Sequence, residues 1–495
     1  MTETNLAVTE GNSKRAIIIG GGIGGLLTAK VLSGYYGEVL IVDKDDLPEK
    51  PENRSGTPQD FQPHRLTPRG SMIMNRLFPG FNNDLLASGA PSSLNKIAHL
   101  SNPYGSHAMP NPEDEATFSR ALLEWVFRER VKKIPNVRFL LKQDVIGLLT
   151  NSKQTAVTGI TVRDRGQSRQ QKTFAGDLVL DASGRSSKLV IWLQELGYTI
   201  PRPDILKVSL GYSTRHYRIP SHLAEKWDVI RVDGNPVKKE FTGVFSIVED
   251  NRAEMLLWGA GGRYPSTKAE EFEQTVAHLA DPFIAEVLQG LEPLTSPRGY
   301  RISELSRQHF EQMEKWPSGL LVLGDALCNF DPIYGLGMTM AAIEAEMLEQ
   351  CLIEQRANPT PHFEQKVLQR LQDAIEPAWW LNCVSDLQWS GVEYRGQPLE
   401  GIDFAQKYFN LFLQEATTKQ NFEQFLLYWG VNSLLFSPRV MIDQHMVSSI
   451  LADASTADKQ WFHEFFKKRD QTLDEYLDQL PSFSGASFVS FPPES

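Results

Sequence analysis

The chain has 495 residues, of which 41% are hydrophobic and 22% are charged, and its formal net charge is −11. These values are typical of a globular protein with two or three domains. The negative charge argues against nucleic acid as a partner, because phosphate binding requires a basic surface. Only three cysteines occur, Cys328, Cys351 and Cys383, and their spacing fits neither a metal site nor a disulfide framework. We therefore expect no metal and a reducing, cytoplasmic location.

The N-terminal thirteen residues are polar and lack the apolar segment of a signal peptide. Nowhere does the chain contain an uncharged apolar run of eighteen residues, so we expect no transmembrane segment. Peripheral contact with a membrane is left open.

The first glycine-rich segment has the arrangement of a dinucleotide-binding turn. An apolar run at 15–19 predicts a strand, Gly20, Gly22 and Gly25 fit G-x-G-x-x-G, and apolar residues at helical spacing follow. A second predicted strand ends at Asp43, at the distance where an acid accepts hydrogen bonds from the adenosine ribose. The pyrophosphate would lie at the N-terminus of the helix. The sequence thus predicts a Rossmann βαβ unit.

Beyond this unit the pattern predicts further strands and helices. Residues 44–70 are rich in proline, glycine and charge and indicate a long functional loop. A helix is predicted at 118–133, and strands at 137–141, 157–162, 174–180, 207–218, 241–248 and 320–323. From about residue 360 the chain is expected to be helical and is rich in aromatic residues. Trp379 and Trp380 there fit either a helical core or a lid over a substrate.

The second glycine-rich segment follows the predicted strand 320–323. It contains Gly324, Asp325, Pro332, Gly335, Gly337 and Met338. The Asp325 carboxylate is placed to accept hydrogen bonds from ribityl hydroxyls, and the helix that follows would direct its N–H groups at an electron-rich ring edge. Such N–H groups stabilise the negative charge of a reduced flavin. The two segments together favour FAD over NAD as the dinucleotide.

These motifs resemble the flavoprotein aromatic-hydroxylase superfamily, which has an N-terminal G-x-G-x-x-G, a middle D-G segment and a late G-D…P…G-x-G segment. Within it the chain looks most like bacterial flavin epoxidases of polyether biosynthesis. The matching segments are 54–59, 119–125, 181–185 and 330–338. Residues 337–341 are also similar to squalene epoxidase. In the middle segment Ser183-Gly184 stands where many hydroxylases have Asp-Gly, which leaves the roles of Asp177 and Asp181 open.

The resemblance implies specific FAD contacts. Arg120 should contact the pyrophosphate or the ribityl chain, Arg54 should approach the phosphates, and Val145 should contact adenine through its backbone. Such epoxidases commonly have an Arg-His-x-His stretch after the segment that begins at Arg54. Here only His64 corresponds to it, so we interpret His64 as a packed or loop residue.

The resemblance also implies the activity. We expect an FAD-dependent monooxygenase that transfers one oxygen atom from O₂ to a small apolar substrate through a flavin C4a-(hydro)peroxide, with alkene epoxidation as the specific reaction. Electrons would come from NAD(P)H or from a separate flavin reductase as partner. Because the cofactor carries the chemistry, no catalytic side chain is assigned.

Three other functions stay open. A flavin-dependent reductase of isoprenoid double bonds has the same motifs, and a non-catalytic flavin-binding scaffold is a further alternative. A flavin-dependent halogenase is less favoured, because the Trp-x-Trp-x-Ile-Pro signature of tryptophan halogenases is absent.

The predicted fold class is α/β. A discontinuous Rossmann-like FAD-binding domain (14–85, 110–200 and 300–360) is interrupted by an antiparallel β-sheet substrate domain (86–109 and 201–299), and a helical C-terminal region covers 361–495.

Overall fold

The computed structural model describes residues 13–166, 168–485 and 488–489, whose strands form one parallel sheet and three mainly antiparallel sheets. The strands are β1 Arg15–Ile19, β2 Glu38–Val42, β3 Ile97–Asn102, β4 Gly105–Pro110, β5 Val137–Leu140, β6 Gln143–Thr150, β7 Val157–Asp164, β8 Gln171–Ala175, β9 Leu178–Asp181, β10 Asp204–Lys207, β11 Leu210–Arg218, β12 Trp227–Val232, β13 Thr242–Val248, β14 Arg252–Gly259, β15 Glu292–Pro293, β16 Arg298–Ile302, β17 Leu305–Arg307, β18 Leu320–Val322 and β19 Glu393–Arg395.

The helices connect these strands and then continue alone towards the C-terminus. They are α1 Ile23–Leu32, α2 Pro68–Leu77, α3 Phe81–Ala87, α4 Arg120–Lys132, α5 Leu189–Glu195, α6 Ser221–Ala224, α7 Ala269–Ala277, α8 Phe283–Leu288, α9 Leu336–Ala357, α10 Phe363–Asp386, α11 Ile402–Thr418, α12 Phe422–Asn432, α13 Gln444–Asp453, α14 Thr456–Arg469 and α15 Leu473–Gln479. Of the helices in the described part of the chain, none combines the length and apolar character needed to cross a bilayer.

The parallel sheet has the strand order β18-β9-β1-β2-β5. Residues 16–19 of β1 are buried on both faces, which explains their continuous apolar run. Helices α1 and α9 pack against each other beside this sheet. Because the strands are parallel, the turns after β1, β9 and β18 all lie at the same edge of the sheet, where ligands of such folds bind.

The largest sheet has eight strands, in the order β15-β11-β14-β13-β12-β3-β4 with β16 also paired to β11. Its back face packs on α7 and α8 through an apolar cluster that includes Phe245 and Phe272. Its front face meets the loop between β2 and α2, where His216 Nε2 lies 3.0 Å from the carbonyl oxygen of Phe61. The sheet therefore presents its front face to the parallel-sheet region.

Two predicted strands are each divided between two sheets, so the single-strand predictions at 174–180 and 207–218 were wrong. The strand predicted at 174–180 is divided into β8 and β9. Strand β8 pairs with β7, whereas β9 pairs with β1 and β18. The break is at Gly176, where a Cβ would lie 2.9 Å from the side chain of Ile17. The second divides into β10 and β11 around Ser209, whose φ is 43°.

The region after residue 360 is mainly helical, as predicted, with β19 as a short exception. Trp379 and Trp380 on α10 are 0% and 2% exposed, and Trp380 donates a 2.8 Å hydrogen bond to the carbonyl oxygen of Glu400. The two tryptophans thus belong to the core and not to a lid surface. The mixed α/β fold class is confirmed, whereas the predicted domain boundaries stay a prediction.

Candidate functional site

The turn between β1 and α1 has a backbone that requires two of its three motif glycines. Gly20 has a φ of 106°, and a Cβ there would lie 2.5 Å from the carbonyl oxygen of Ala182. A Cβ on Gly25 would lie 1.9 Å from the carbonyl oxygen of Gly20. By contrast, the nearest atom to a Cβ on Gly22 would be Arg54 Nη2, at 3.8 Å. The middle glycine therefore leaves open space directly in front of the α1 N-terminus, which is where a pyrophosphate would bind.

Asp43, which directly follows β2, stabilises this turn. Its carboxylate accepts hydrogen bonds from the backbone N–H groups of Gly21 at 2.7 Å and Asp45 at 2.8 Å. The side chain is 5% exposed. Asp43 thus lies beside the glycine turn, and its contact with a ribose stays a prediction.

Arg54 is the centre of a buried cluster of carboxylates. Its guanidinium lies 2.7 Å from Asp45, 2.7 Å from Glu124 and 3.6 Å from Asp43, and its side chain is 7% exposed. Burial alone would raise the pKa of Asp45 and of Glu124, but the neighbouring arginines lower both. Arg54 therefore has a large structural role that the sequence did not indicate, with only Nη2 directed towards Gly22. Its approach to phosphates stays a prediction.

Arg120 is the first residue of α4, which Ser119 caps by accepting a hydrogen bond from the N–H of Leu122. Its Nη2 lies 2.9 Å from Glu124 Oε2. Its Nη1 is buried and has no hydrogen-bond partner among the described residues. A buried arginine N–H group without an acceptor is costly. The group therefore fits an anionic oxygen of a ligand, as the predicted phosphate or ribityl contact requires.

Asp325 follows β18, at the same sheet edge as the glycine turn. Gly324 before it has a φ of 67°, and no hydrogen bond from the described residues reaches the Asp325 carboxylate. Burial raises the pKa of Asp325, while the charges of Arg185 and Arg120 act in the opposite direction. A carboxylate with unused acceptor oxygens near Arg120 fits the hydroxyl groups of a ribityl chain.

The start of α9 forms the far end of the site. Gly335 has a φ of 68° and precedes the first residue of the helix. Pro332 and Gly337 are exposed and Met338 is half-buried, and a Cβ on Gly337 would have no atom within 4 Å. The N–H groups at this helix start therefore border open space, as the predicted contact with a flavin ring requires.

Val145 and His64 flank these elements. Val145 is half-buried on β6, whose first residue, Gln143, donates a 3.0 Å hydrogen bond to the carbonyl oxygen of Asp43. His64 Nδ1 lies 2.8 Å from the carbonyl oxygen of Gln62. Burial and the charge of Arg120 lower the pKa of His64 to about 4, so its imidazole is neutral at pH 7. His64 thus lies near a predicted cofactor contact, and its interpretation as a packed residue stays a prediction.

The middle acidic residues have different structural roles. Asp181 is fully buried and accepts hydrogen bonds from the Ser183 N–H at 2.9 Å and the Ser187 hydroxyl at 2.5 Å. Asp177 accepts a 2.8 Å hydrogen bond from the N–H of Arg15. Asp181 therefore shapes the turn that contacts Gly20, while Asp177 ties β9 to β1.

Sequence reasoning missed a second buried acid at the site. Glu344 on α9 is fully buried, and its Oε2 accepts a hydrogen bond from the N–H of Gly324. Burial raises its pKa to about 8, and the charge of Asp325 adds to the increase. The available signal was the presence of two acids, Glu344 and Glu346, among the small and apolar residues at 340–348, because a charged residue at a buried helix position usually has a specific partner.

No protein-family model matches the chain. A relative in sequence is the protein Rv3254 of Mycobacterium tuberculosis, 29% identical over 388 residues, which cover 76% of this chain and 81% of the relative. Among solved structures, the flavin-dependent brominase Bmp2 has a TM-score of 0.63 at 12% identity, over 92% of this chain and 99% of that chain. The myxobacterial chondrochloren halogenase CndH has a TM-score of 0.57 at 14% identity, over 89% and 96%.

A third solved structure is that of 2-methyl-3-hydroxypyridine-5-carboxylic acid oxygenase, with a TM-score of 0.52 at 16% identity over 76% of this chain and 91% of that chain. The chain therefore has the fold of flavin-dependent halogenases and related oxygenases. This likeness confirms the fold that the sequence resemblance implied. The more specific similarity to polyether and squalene epoxidases stays a prediction.

Proposed function

We propose that the protein is an FAD-dependent monooxygenase that transfers one oxygen atom from O₂ to an apolar organic substrate. The observation that carries the proposal is the presence, near one another, of the unpartnered Arg120 Nη1 and the Asp325 carboxylate without a hydrogen bond. One suits an anion and the other a hydroxyl group, and FAD contains both. The fold shared with flavin-dependent enzymes supports the same conclusion.

Bound FAD would supply the redox chemistry and the activation of O₂. The chain's part is to bind the cofactor, orient it and exclude water. Gly22 and the α1 N-terminus would hold the pyrophosphate with Arg120, Asp325 would bind the ribityl hydroxyls, and the N–H groups at the start of α9 would face the ring. The substrate would lie between the ring and the front face of the eight-stranded sheet. Epoxidation of an alkene is the specific reaction that the segments 54–59 and 330–338 favour.

The electrons would come from NAD(P)H or from a separate flavin reductase. We place the protein in the cytoplasm, since its three cysteines are free and buried.

Turnover under ¹⁸O₂ tests the proposal. The purified protein should be yellow, should hold FAD at about one equivalent, and should place a single ¹⁸O atom in the product. Product without the label would end the monooxygenase proposal and favour a reductase of double bonds. A yellow protein whose flavin is never reoxidised with turnover would favour a non-catalytic flavin-binding role.

Halogenation is a second candidate, because two of the structures that share the fold are a brominase and a halogenase. The discriminating measurement is the mass of the product with bromide or chloride added to the same reaction. Incorporation of halogen in place of oxygen would favour the halogenase, and a product mass independent of halide would favour the monooxygenase.

A further inference from the structure

The turn that precedes α9 contributes to a group of six polar side chains from three parts of the fold, five of them buried and one, Tyr334, half-buried. We call them the Asp331 network: Tyr212, Trp258, Asp331, Tyr334, Asn382 and Asp386. Tyr212 on β11 donates a 2.8 Å hydrogen bond to Asp331 Oδ1, and the N–H of Ile333 donates to the same oxygen at 3.0 Å. The network thus connects the turn directly to the eight-stranded sheet, which we call the substrate sheet because it belongs to the predicted substrate domain.

Helix α10 holds the same turn from its other side. Asn382 accepts a 2.8 Å hydrogen bond from the N–H of Asp331 and donates one of 2.7 Å to Asp386 Oδ2. The hydroxyl of Tyr334 lies 2.7 Å from Asp386 Oδ1. Asn382 therefore connects the backbone of Asp331 to the carboxyl group of Asp386 through a single side chain.

Neither carboxyl group has a compensating cation. Asp331 and Asp386 are both 0% exposed, and in the described part of the chain no lysine, arginine or histidine forms an ion pair with either. Arg231 on β12 acts on Asp331 only through its charge. Its guanidinium donates to Asp233 at 2.7 Å and to the carbonyl oxygen of Ile333 at 3.0 Å. Two uncompensated charges in one buried network would be very costly, so the pair must retain a proton.

The hydrogen-bond donors indicate which group is charged. The indole N–H of Trp258 and Asp331 Oδ2 are both buried without a hydrogen-bond partner among the described residues. Burial raises the pKa of Asp331 to about 6, while Ile333, Tyr212 and the Trp258 indole act in the opposite direction. Asp331 thus accepts two hydrogen bonds, and the backbone N–H of Ile333 and the nearby indole N–H of Trp258 can only donate, which favours the anion. Asp386 accepts from Asn382, but its other neighbour, the Tyr334 hydroxyl, can either donate or accept. Burial and the charge of Asp331 raise the pKa of Asp386 well above its usual value, although the hydrogen bonds with Tyr334 and Asn382 act in the opposite direction.

We propose that Asp331 is ionised and Asp386 carries a proton, and that this network is a positioning device that fixes the Pro332–Gly335 turn against the substrate sheet. In this state Asp386 donates a hydrogen bond to the hydroxyl of Tyr334. The Asp331 carboxylate accepts hydrogen bonds from the N–H of Ile333 in the turn and from the hydroxyl of Tyr212 on β11. The consequence for cofactor binding rests on the proposed function, because it requires that the flavin ring lies at this turn. The distribution of the proton does not depend on the cofactor.

Infrared difference spectroscopy on the full chain without added cofactor tests the proton assignment. Wild type minus Asp386→Asn should show the C=O band of a protonated carboxyl group, and wild type minus Asp331→Asn should show carboxylate bands. The reverse assignment, or carboxylate bands in both spectra, would overturn the proposal. This result is independent of whether the protein binds FAD.

FAD affinity tests the positioning role, with a matched control on the same strand. Tyr217 is also a buried tyrosine of β11 whose hydroxyl donates to a carboxylate, Glu273, but it packs on the back face of the sheet. Tyr212→Phe should weaken FAD binding about tenfold, the size expected for loss of a buried hydrogen bond to a charged group, and should change the flavin absorbance spectrum. Tyr217→Phe should change neither. Equal affinities and spectra in the two variants would overturn the positioning role, whereas a wild type that binds no FAD would contradict the proposed function instead.

Discussion

The buried carboxyl group of Glu344 accepts a hydrogen bond from the backbone N–H of Gly324, directly before Asp325. Two acids therefore lie close together at the end of β18: Glu344, which is buried in helix α9, and Asp325, which is half-buried and for which we propose contact with the cofactor. Because they are close, the charge of one affects the other. The protonation of Glu344 should thus decide how much negative charge this end of the site contains.

Glu344→Gln should remove a dependence of stability on pH. The pKa of Glu344 is raised to about 8 in the folded protein, so the native state retains a proton that the unfolded chain loses near pH 4.5. The stabilisation is complete below the unfolded pKa and is lost as pH rises through about 8. The melting temperature of wild type should therefore fall relative to Glu344→Gln between about pH 5 and pH 9. Parallel curves would contradict the assignment.

His309 should contribute stability over a different pH range. Its imidazole lies 3.0 Å from both Asp204 and Glu311. Burial lowers its pKa, but the two carboxylates outweigh burial and raise it to about 9. The contribution is complete below pH 6.5 and is lost as pH rises through 9. His309→Gln should cost about 2 kcal/mol at neutral pH, measured by urea unfolding, and the difference from wild type should decrease above pH 9.

Gly22→Val and Gly25→Val should separate ligand binding from folding. The nearest atom to a Cβ at position 22 would be Arg54 Nη2, at 3.8 Å. The variant should therefore fold with an unchanged circular dichroism spectrum but be colourless, because valine would occupy the proposed space for the pyrophosphate. A side chain at position 25 meets backbone at 1.9 Å, so that variant should be destabilised or insoluble. Full flavin content in Gly22→Val would refute the pyrophosphate assignment.

The variants Arg54→Ala and Arg120→Gln should distinguish an arginine that stabilises the fold from an arginine that binds the cofactor. Loss of Arg54 leaves Asp45 without its 2.7 Å partner and should destabilise the fold by about 3–5 kcal/mol, the cost of a broken buried ion pair. Loss of Arg120 is milder for the fold, because Glu124 keeps its 2.7 Å contact with Arg54. Arg120→Gln should instead lower FAD affinity. Thermal melts and FAD titrations of both variants measure the difference, and equal melting temperatures would contradict it.

Asp325→Ala should weaken FAD binding without destabilising the protein. Its carboxylate has no hydrogen bond from the described residues, so the fold loses little, whereas a ribityl hydroxyl would lose a charged acceptor worth about 1.5–3 kcal/mol, or about tenfold or more in affinity. Isothermal titration with FAD measures this change. Unchanged affinity would remove Asp325 from the site.

The parts of the site that the sequence predicted are those with local signals. Gly20, Gly25 and Asp43 lie around one turn, as predicted, because a turn, a helix start and a strand end occur within thirty residues of one another. Their contact with a cofactor stays a prediction. The contact of Tyr212 with Asp331 joins residues 119 positions apart, and no local pattern indicates it. The division of the predicted strand at Gly176 depended on contact with Ile17 in another strand, which periodicity within one segment does not detect.

The order of strands in the parallel sheet has a consequence for synthesis on the ribosome. The N-terminal strand β1 lies next to β9, and β9 lies next to β18, which is complete only at residue 322 of 495. A nascent chain that has emerged only as far as β5 exposes one free edge of β1 and has only part of the proposed FAD site. Because that proposed site also includes the turn after β18, we expect FAD to bind only after β18 has emerged, and chaperones to contact the unpaired edge of β1 before that point.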